Sequence, residues 1–271
     1  MSKIFALLLT ISIFSPSAHA VEKIRVGFPD LAVPFVSLPL GEKRGYFRNE
    51  GLQAEFIRIN AAVAMAALVS GELDYYTVIA PAISAAIRGL PDKVVACYMP
   101  SAPIALIAKP ELKSVQELRG KTIGLNILGG ALEVVAKLIF KHFGIDPDRE
   151  IKFLANGPLE SRFAAVRQGL TAATLGSPPT DFLGKKMGFV VLTRADELFS
   201  YPVSGIVVSA RKIKERPDEI KRIIKAGIKA NGYILQNREN TIQIMIDWLK
   251  VDKEMAAATY DSSLKVFNDE S

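Results

Sequence analysis

Five consecutive stretches, KIRVGF (23–28), LPLGEKRGYFRNE (38–50), QAEFIRI (53–59), AVAMAALVS (62–70) and YYTVI (75–79), decide the fold. Short β-like runs alternate with helical ones, which predicts strand, helix, strand, helix, strand. A connection of that length joins parallel strands, so the order implies an α/β chain with a mostly parallel sheet flanked by helices. Ligands of such sheets gather at the carboxyl ends of the strands.

The same order is expected again farther on, with strands over 122–125, 150–155 and 172–175 and helices over 131–143 and 159–168. Ala66-Ala67-Leu68 with Gly71 and Pro81 is matched 98 residues later by Ala164-Ala165-Val166 with Gly169 and Pro179, and Gly51 is matched by Gly144. Two similar lobes are implied. The smooth apolar runs 102–108 and 205–210 read as strands crossing between them. Pro217 suits a first helical turn, so helices are predicted over 218–236, 239–250 and 253–265, packed on the first lobe. The expected boundaries are 21–108 plus 206–271 for one lobe and 109–205 for the other.

Composition excludes several classes at once. With 271 residues, 49% apolar and 23% charged, the chain is neither disordered, collagenous nor coiled coil. Residues 1–20 read as a secretory signal peptide: a basic start at Lys3, an apolar core and an Ala18-His19-Ala20 ending, with cleavage expected before Val21. Loss of Lys3 takes the net charge from +6 to +5. A basic chain bound for an extracytoplasmic space has little use for nucleic acid, and its dense basic segment, 211–229, is interleaved with Glu215, Asp218 and Glu219 as a solvated helix face would be.

Catalytic and metal chemistry lack their residues. Cys97 is the sole cysteine and sits in an apolar run, where a small buried hydrophobe is its expected role. After cleavage His142 is the one histidine, placed at a helix end where a cation complements the dipole. No spacing suits zinc, a dinucleotide or a P-loop, so neither metal nor cofactor is expected. The sequence reads as a binder and not an enzyme.

The motifs GYFRNEGL (45–52), SGELD (70–74) and LRGKTIG (118–124) resemble those of nitrate/sulfonate/taurine-type periplasmic substrate-binding proteins of ABC transporters, and of the related proteins for thiamine pyrimidine precursors. The resemblance runs from Ile24 to about Lys265. It implies a two-lobed type II periplasmic-binding fold with two hinge strands, a small ligand buried between the lobes, delivery to a membrane permease, and a monomer. It also leaves open an enzyme of thiamine metabolism or a sensory ligand-binding module. The chain departs from the pattern at Gly169-Leu170-Thr171-Ala172, which lacks the frequent acid, and at its end, where relatives continue for several more helices.

Strand-end loops supply the candidate contacts: Asp30, Ala32, Val33 and Phe35, then Ile79 and Ala80, then Gly129, Gly130 and Ala131, then Ser177 and Pro178. Twin glycines before a helix are expected to offer free amides to an anion, or to form a plain turn. Arg162, at the border of an apolar helix face, is a candidate carboxylate or sulfonate clamp expected near the surface of the open cleft. Asp30 and Glu133 are acids that an anion would repel. The loops are otherwise apolar (Leu31, Val33, Pro34, Phe35, Ile79, Leu128), which suits nitrate poorly and a small organic anion, aromatic ones included, better.

Overall fold

A computed structural model describes residues 21–267; the expected signal peptide lies outside them. Strand β1 (Glu22–Phe28) buries Ile24, Val26 and Phe28. The helix expected over 38–50 is two helices, α1 (Ser37–Lys43) and α2 (Tyr46–Asn49), parted at Gly45 with φ 71°. That left-handed conformation suits glycine and cannot continue a right-handed helix. Then come β2 (Leu52–Arg58), α3 (Ala61–Ser70), β3 (Tyr75–Val78), α4 (Ile79–Ile87) and β4 (Asp92–Met99). Asn60 caps α3 by accepting the Val63 N–H at 3.1 Å.

The second lobe comprises β5 (Ala105–Ala108), β6 (Thr122–Leu125), α5 (Ala131–His142), β7 (Lys152–Ala155), α6 (Leu159–Gln168), β8 (Ala173–Gly176), α7 (Thr180–Lys186) and β9 (Val190–Arg194). The chain returns through β10 (Ser204–Ser209) and α8 (Ala210–Glu215) to α9 (Pro217–Gln236), α10 (Arg238–Leu249) and α11 (Lys253–Ser263).

Both lobes are built to one plan. Their sheets run β2-β1-β3-β10-β4 and β7-β6-β8-β5-β9. In each, one strand lies antiparallel to both of its neighbours, β10 in the first and β5 in the second, while β1 and β6 pair parallel on both sides. Each reversed strand enters straight from the other lobe, β5 following β4 and β10 following β9. The runs expected to cross between lobes therefore lie inside one sheet each. Every residue of β5 and β10 is buried, and a strand paired on both edges satisfies its backbone only within a sheet. Pro103, which has no N–H to give a ladder, stands just before β5. The crossings are residues 100–104 and 199–203, tied by Val203 N–H to Met99 O at 2.9 Å and Ala195 N–H to Ile104 O at 2.8 Å.

Helices α9 to α11 pack on the first lobe, where Val36, Leu40, Met99, Ile234, Met245 and Tyr260 share one apolar cluster. The Phe28 and Trp248 rings lie 5.2 Å apart, and the Trp248 indole N–H donates to Ala32 O at 3.2 Å. That contact fixes the loop leaving β1, on which the site depends.

Candidate functional site

In each sheet the chain reverses its direction of travel between two central strands, β1 and β3 in the first, β6 and β8 in the second. Such reversal opens a crevice at the strands' carboxyl ends. On the first lobe, Asp30 lies two residues past β1, and Tyr76 lies in β3. On the second, Arg162 reaches from α6 to the end of β8, donating to Leu175 O and, at 3.3 Å, to Thr174 Oγ1. Asp30 at one crevice and Arg162 at the other each register the other's charge.

Arg162 is only 7% exposed, not on the open surface as expected. Two β8 acceptors draw its guanidinium inward, and its Nε has no hydrogen-bond partner. A buried cation with an unfilled donor invites an acceptor. Asp30 is reached by solvent yet crowded by protein. Burial pushes its carboxyl above the usual carboxylate range, against the pull of Arg58 and Arg162. Tyr76 is fully buried, with its hydroxyl unpartnered; burial and then the Asp30 charge raise its phenol, which stays a neutral donor.

The remaining candidates divide by burial. Val33, Phe35 and Ile79 are core residues of the first lobe, and Pro178 is buried in the second. Ala32, Ala80 and Ser177 are half-buried, with the Ala32 and Ser177 carbonyls already used by Trp248 and Thr180. The free amide expected at Gly129 is taken: its N–H donates to Glu133 Oε2 at 2.7 Å, so a carboxylate of the same helix fills the place of an anion. Gly130 caps α5, and Ala131 begins it.

Leu31, Ile83, Ile127 and Leu128 are exposed apolar side chains in the strand-end loops, or in the helix leaving one. Sequence reasoning missed Tyr76, Thr174 and Asn156. The last directly follows β7 with a buried, unpartnered Oδ1 that lies 2.9 Å from where a Gly124 Cβ would be. His142 ends α5 in solvent. Two depressions, of about 370 Å³ beside α2 and α9 and about 510 Å³ between α7, β9 and α11, include neither Asp30 nor Arg162. Among the described residues no three His, Cys, Asp or Glu gather as metal ligands, and no helix is long and apolar enough to cross a membrane.

Solved structures share this architecture. The alkanesulfonate-binding protein SsuA of Xanthomonas axonopodis pv. citri, bound to MOPS, matches with a TM-score of 0.76 at 18% identity, covering 89% of this chain and 83% of that one. The periplasmic nitrate-binding protein NrtA of Synechocystis PCC 6803 matches with a TM-score of 0.71 at 15% identity, covering 86% and 68%. The two-lobed fold is thus that of periplasmic binding proteins. Riboflavin-binding protein RibY of Chloroflexus aurantiacus is 25% identical over 80% of this chain, which spans 63% of that protein's length. The family model described as NMT1/THI5 like matches residues 34–241, and the chain belongs to that family.

Proposed function

We propose that this protein is the periplasmic solute-binding component of an ABC importer, and that it closes its lobes over a small organic anion, a sulfonate or carboxylate with an apolar body. It hands that solute to a membrane permease and performs no chemistry on it. Arg162 carries the reading: a buried guanidinium with an unfilled donor at the crevice of the second lobe.

Charge and shape support it. Arg58, Arg162 and Asp30 sum to one positive charge, which suits a monoanion. The exposed Leu31, Ile83, Ile127 and Leu128 offer an apolar wall that nitrate would leave wet. The alkanesulfonate named for one structural neighbour and the aromatic riboflavin named for a relative both combine polar and apolar parts.

A thermal-shift screen of sulfonates and carboxylates tests the proposal, because a solute that binds only the folded chain raises Tm. Arg162→Ala is expected to weaken the best anion by about ten- to a hundredfold, the worth of one charge-assisted pair. A stabilising anion whose affinity ignores Arg162 would refute it.

A further inference from the structure

Among the described residues, every ion pair between the lobes lies on one seam, where α7 and the turn Ala195–Glu197 meet α11 and the turn Leu264–Val266. Lys186 stands 3.8 Å from Asp252 and 3.7 Å from Glu254, and both of these pairs are exposed and weak. The third differs. Lys265 Nζ lies 3.0 Å from Oδ2 of Asp196, whose side chain is fully buried. Val266 and Phe267 anchor Lys265 to a core of the first lobe, while Ala195 anchors Asp196 to that of the second, so the pair spans the joint just before the crossing at 199–203. Asp196 also sits in a half-made network. Its Oδ1 accepts from Arg194 Nε at 3.4 Å, its Oδ2 is not aligned for a hydrogen bond with Lys265, and Arg194 Nη2 is buried without a partner. Arg194 Nη1 is engaged elsewhere, with Asp181 Oδ2 at 2.5 Å. The Nε and Nη2 edge of a guanidinium is a fork that takes both oxygens of one carboxylate. Lys265 therefore holds the oxygen that Arg194 Nη2 lacks.

We propose that Asp196 is a latch beside the hinge with two settings. In one, Lys265 of the first lobe holds Oδ2 and keeps the lobes at the separation described; in the other, the lobes close, Lys265 withdraws, and Arg194 takes both oxygens. This rests on the solute-binding reading above and supplies its regulation. The exchange is nearly balanced, because the departing ammonium returns to water and the carboxylate gains the Nη2 hydrogen bond in its place. A solute then needs only a small difference in affinity between the two settings to shift the population. The depression of about 510 Å³ on this seam, lined by Asp181, Lys185, Arg194 and Lys265, leaves α7 room to move against α11.

Spin labels read the separation without any solute. Leu31→Cys and Leu128→Cys place them on exposed strand-end loops of the two lobes, in a chain that also carries Cys97→Ser. Pulsed electron resonance on the solute-free protein then gives the distribution of distances. Lys265→Ala is expected to raise the share of molecules at the shorter distance by at least about threefold, within the reach of one ion pair of this kind. Lys265→Arg, which keeps a cation, is expected to hold the original distribution. So is Lys221→Ala, whose pair with Asp218 at 3.0 Å stays inside α9. Should Lys265→Ala fail to fold, judged by circular dichroism, Lys265→Met is read in its place. A distribution that loss of Lys265 leaves unmoved or lengthens, or that Lys221→Ala moves as far, overturns the latch. The solute-binding reading would then stand, because the thermal-shift screen decides it independently.

Discussion

Thr77 and Thr174 hold the same post in the two lobes: each Oγ1 donates to a glycine carbonyl on the neighbouring central strand, Gly27 O and Gly124 O, and both bonds are 2.9 Å. Both threonines are buried. Neither glycine has room for a side chain, since a Cβ at Gly27 or Gly124 would lie 2.9 Å from its nearest neighbour. The pairs brace the two strands that frame each crevice. They differ in one respect, because only Thr174 also receives the Arg162 guanidinium.

That difference is testable. Thr77→Val and Thr174→Val should each cost about 1 kcal/mol of stability, the net worth of a buried hydrogen bond. Only Thr174→Val should also weaken anion binding, by about three- to tenfold, because Arg162 loses one of its two anchors. Denaturant titration and calorimetry on both variants check this. Equal effects on affinity would remove Thr174 from the support of Arg162.

Glu133 gives a second expectation. The Gly129 N–H, and then Lys137 at 3.1 Å, hold its carboxyl below the usual range. A lowered folded pKa means that the carboxylate stabilises the fold above its ordinary pKa and loses that effect as pH falls through the folded value. Glu133→Gln should therefore cost about 0.5–1 kcal/mol near neutral pH and close to nothing once the pH has fallen below the folded value. Ligand affinity should stay within about twofold. Tighter anion binding in this variant would restore the twin glycines as the anion site.

The strand–helix alternation was legible because each element carries its own signal, a buried alternation such as Ile24, Val26 and Phe28 or a capped helix such as the one after Asn60. Strand β4 was not, because Lys93 and Val94 are exposed and Asp92 buried, which breaks any period of two. Nor could the sequence say which sheet would take β5 or β10, since a strand buried on all sides looks alike in either. Arg162 was visible as a basic residue on an apolar helix border. Its burial was not, for it depends on Thr174 and Leu175 in another strand. Asp30 reads as a misfit beside an anion, because the charge it shares with Arg58 and Arg162 depends on other strands and helices, and Tyr76 carried no signal inside an apolar strand.

The lobes are also tied by charge near the second crossing. Asp196, whose side chain is fully buried, lies 3.4 Å from Arg194 Nε and 3.0 Å from Lys265 Nζ, the latter reaching over from just past α11. Asp196→Ala leaves Arg194 with one fewer counter-ion in a half-buried place and should cost about 3 kcal/mol. Lys265→Ala removes an exposed partner and should cost under about 1 kcal/mol. Urea unfolding of the two variants decides it, and equal losses would mean that the tie to Lys265 dominates the cluster.

Asp92 yields the last prediction. It opens β4 opposite Ser209, is 1% exposed, and neither of its carboxylate oxygens has a hydrogen-bond partner. Burial alone pushes its carboxyl above the usual range. A raised folded pKa means that the folded chain holds the proton more tightly than the unfolded one. The side chain is therefore best tolerated below its ordinary pKa, and stability falls as pH rises through the folded value. Asp92→Asn keeps the shape and removes the charge, so it should stabilise the protein by about 1 kcal/mol near neutral pH. The gain should fade as the pH is lowered through the folded value, below which the native carboxyl is protonated. Thermal unfolding of both proteins across that range measures the difference. A gain that is independent of pH, or a loss near neutrality, would show that the carboxylate has a partner that stabilises its charge.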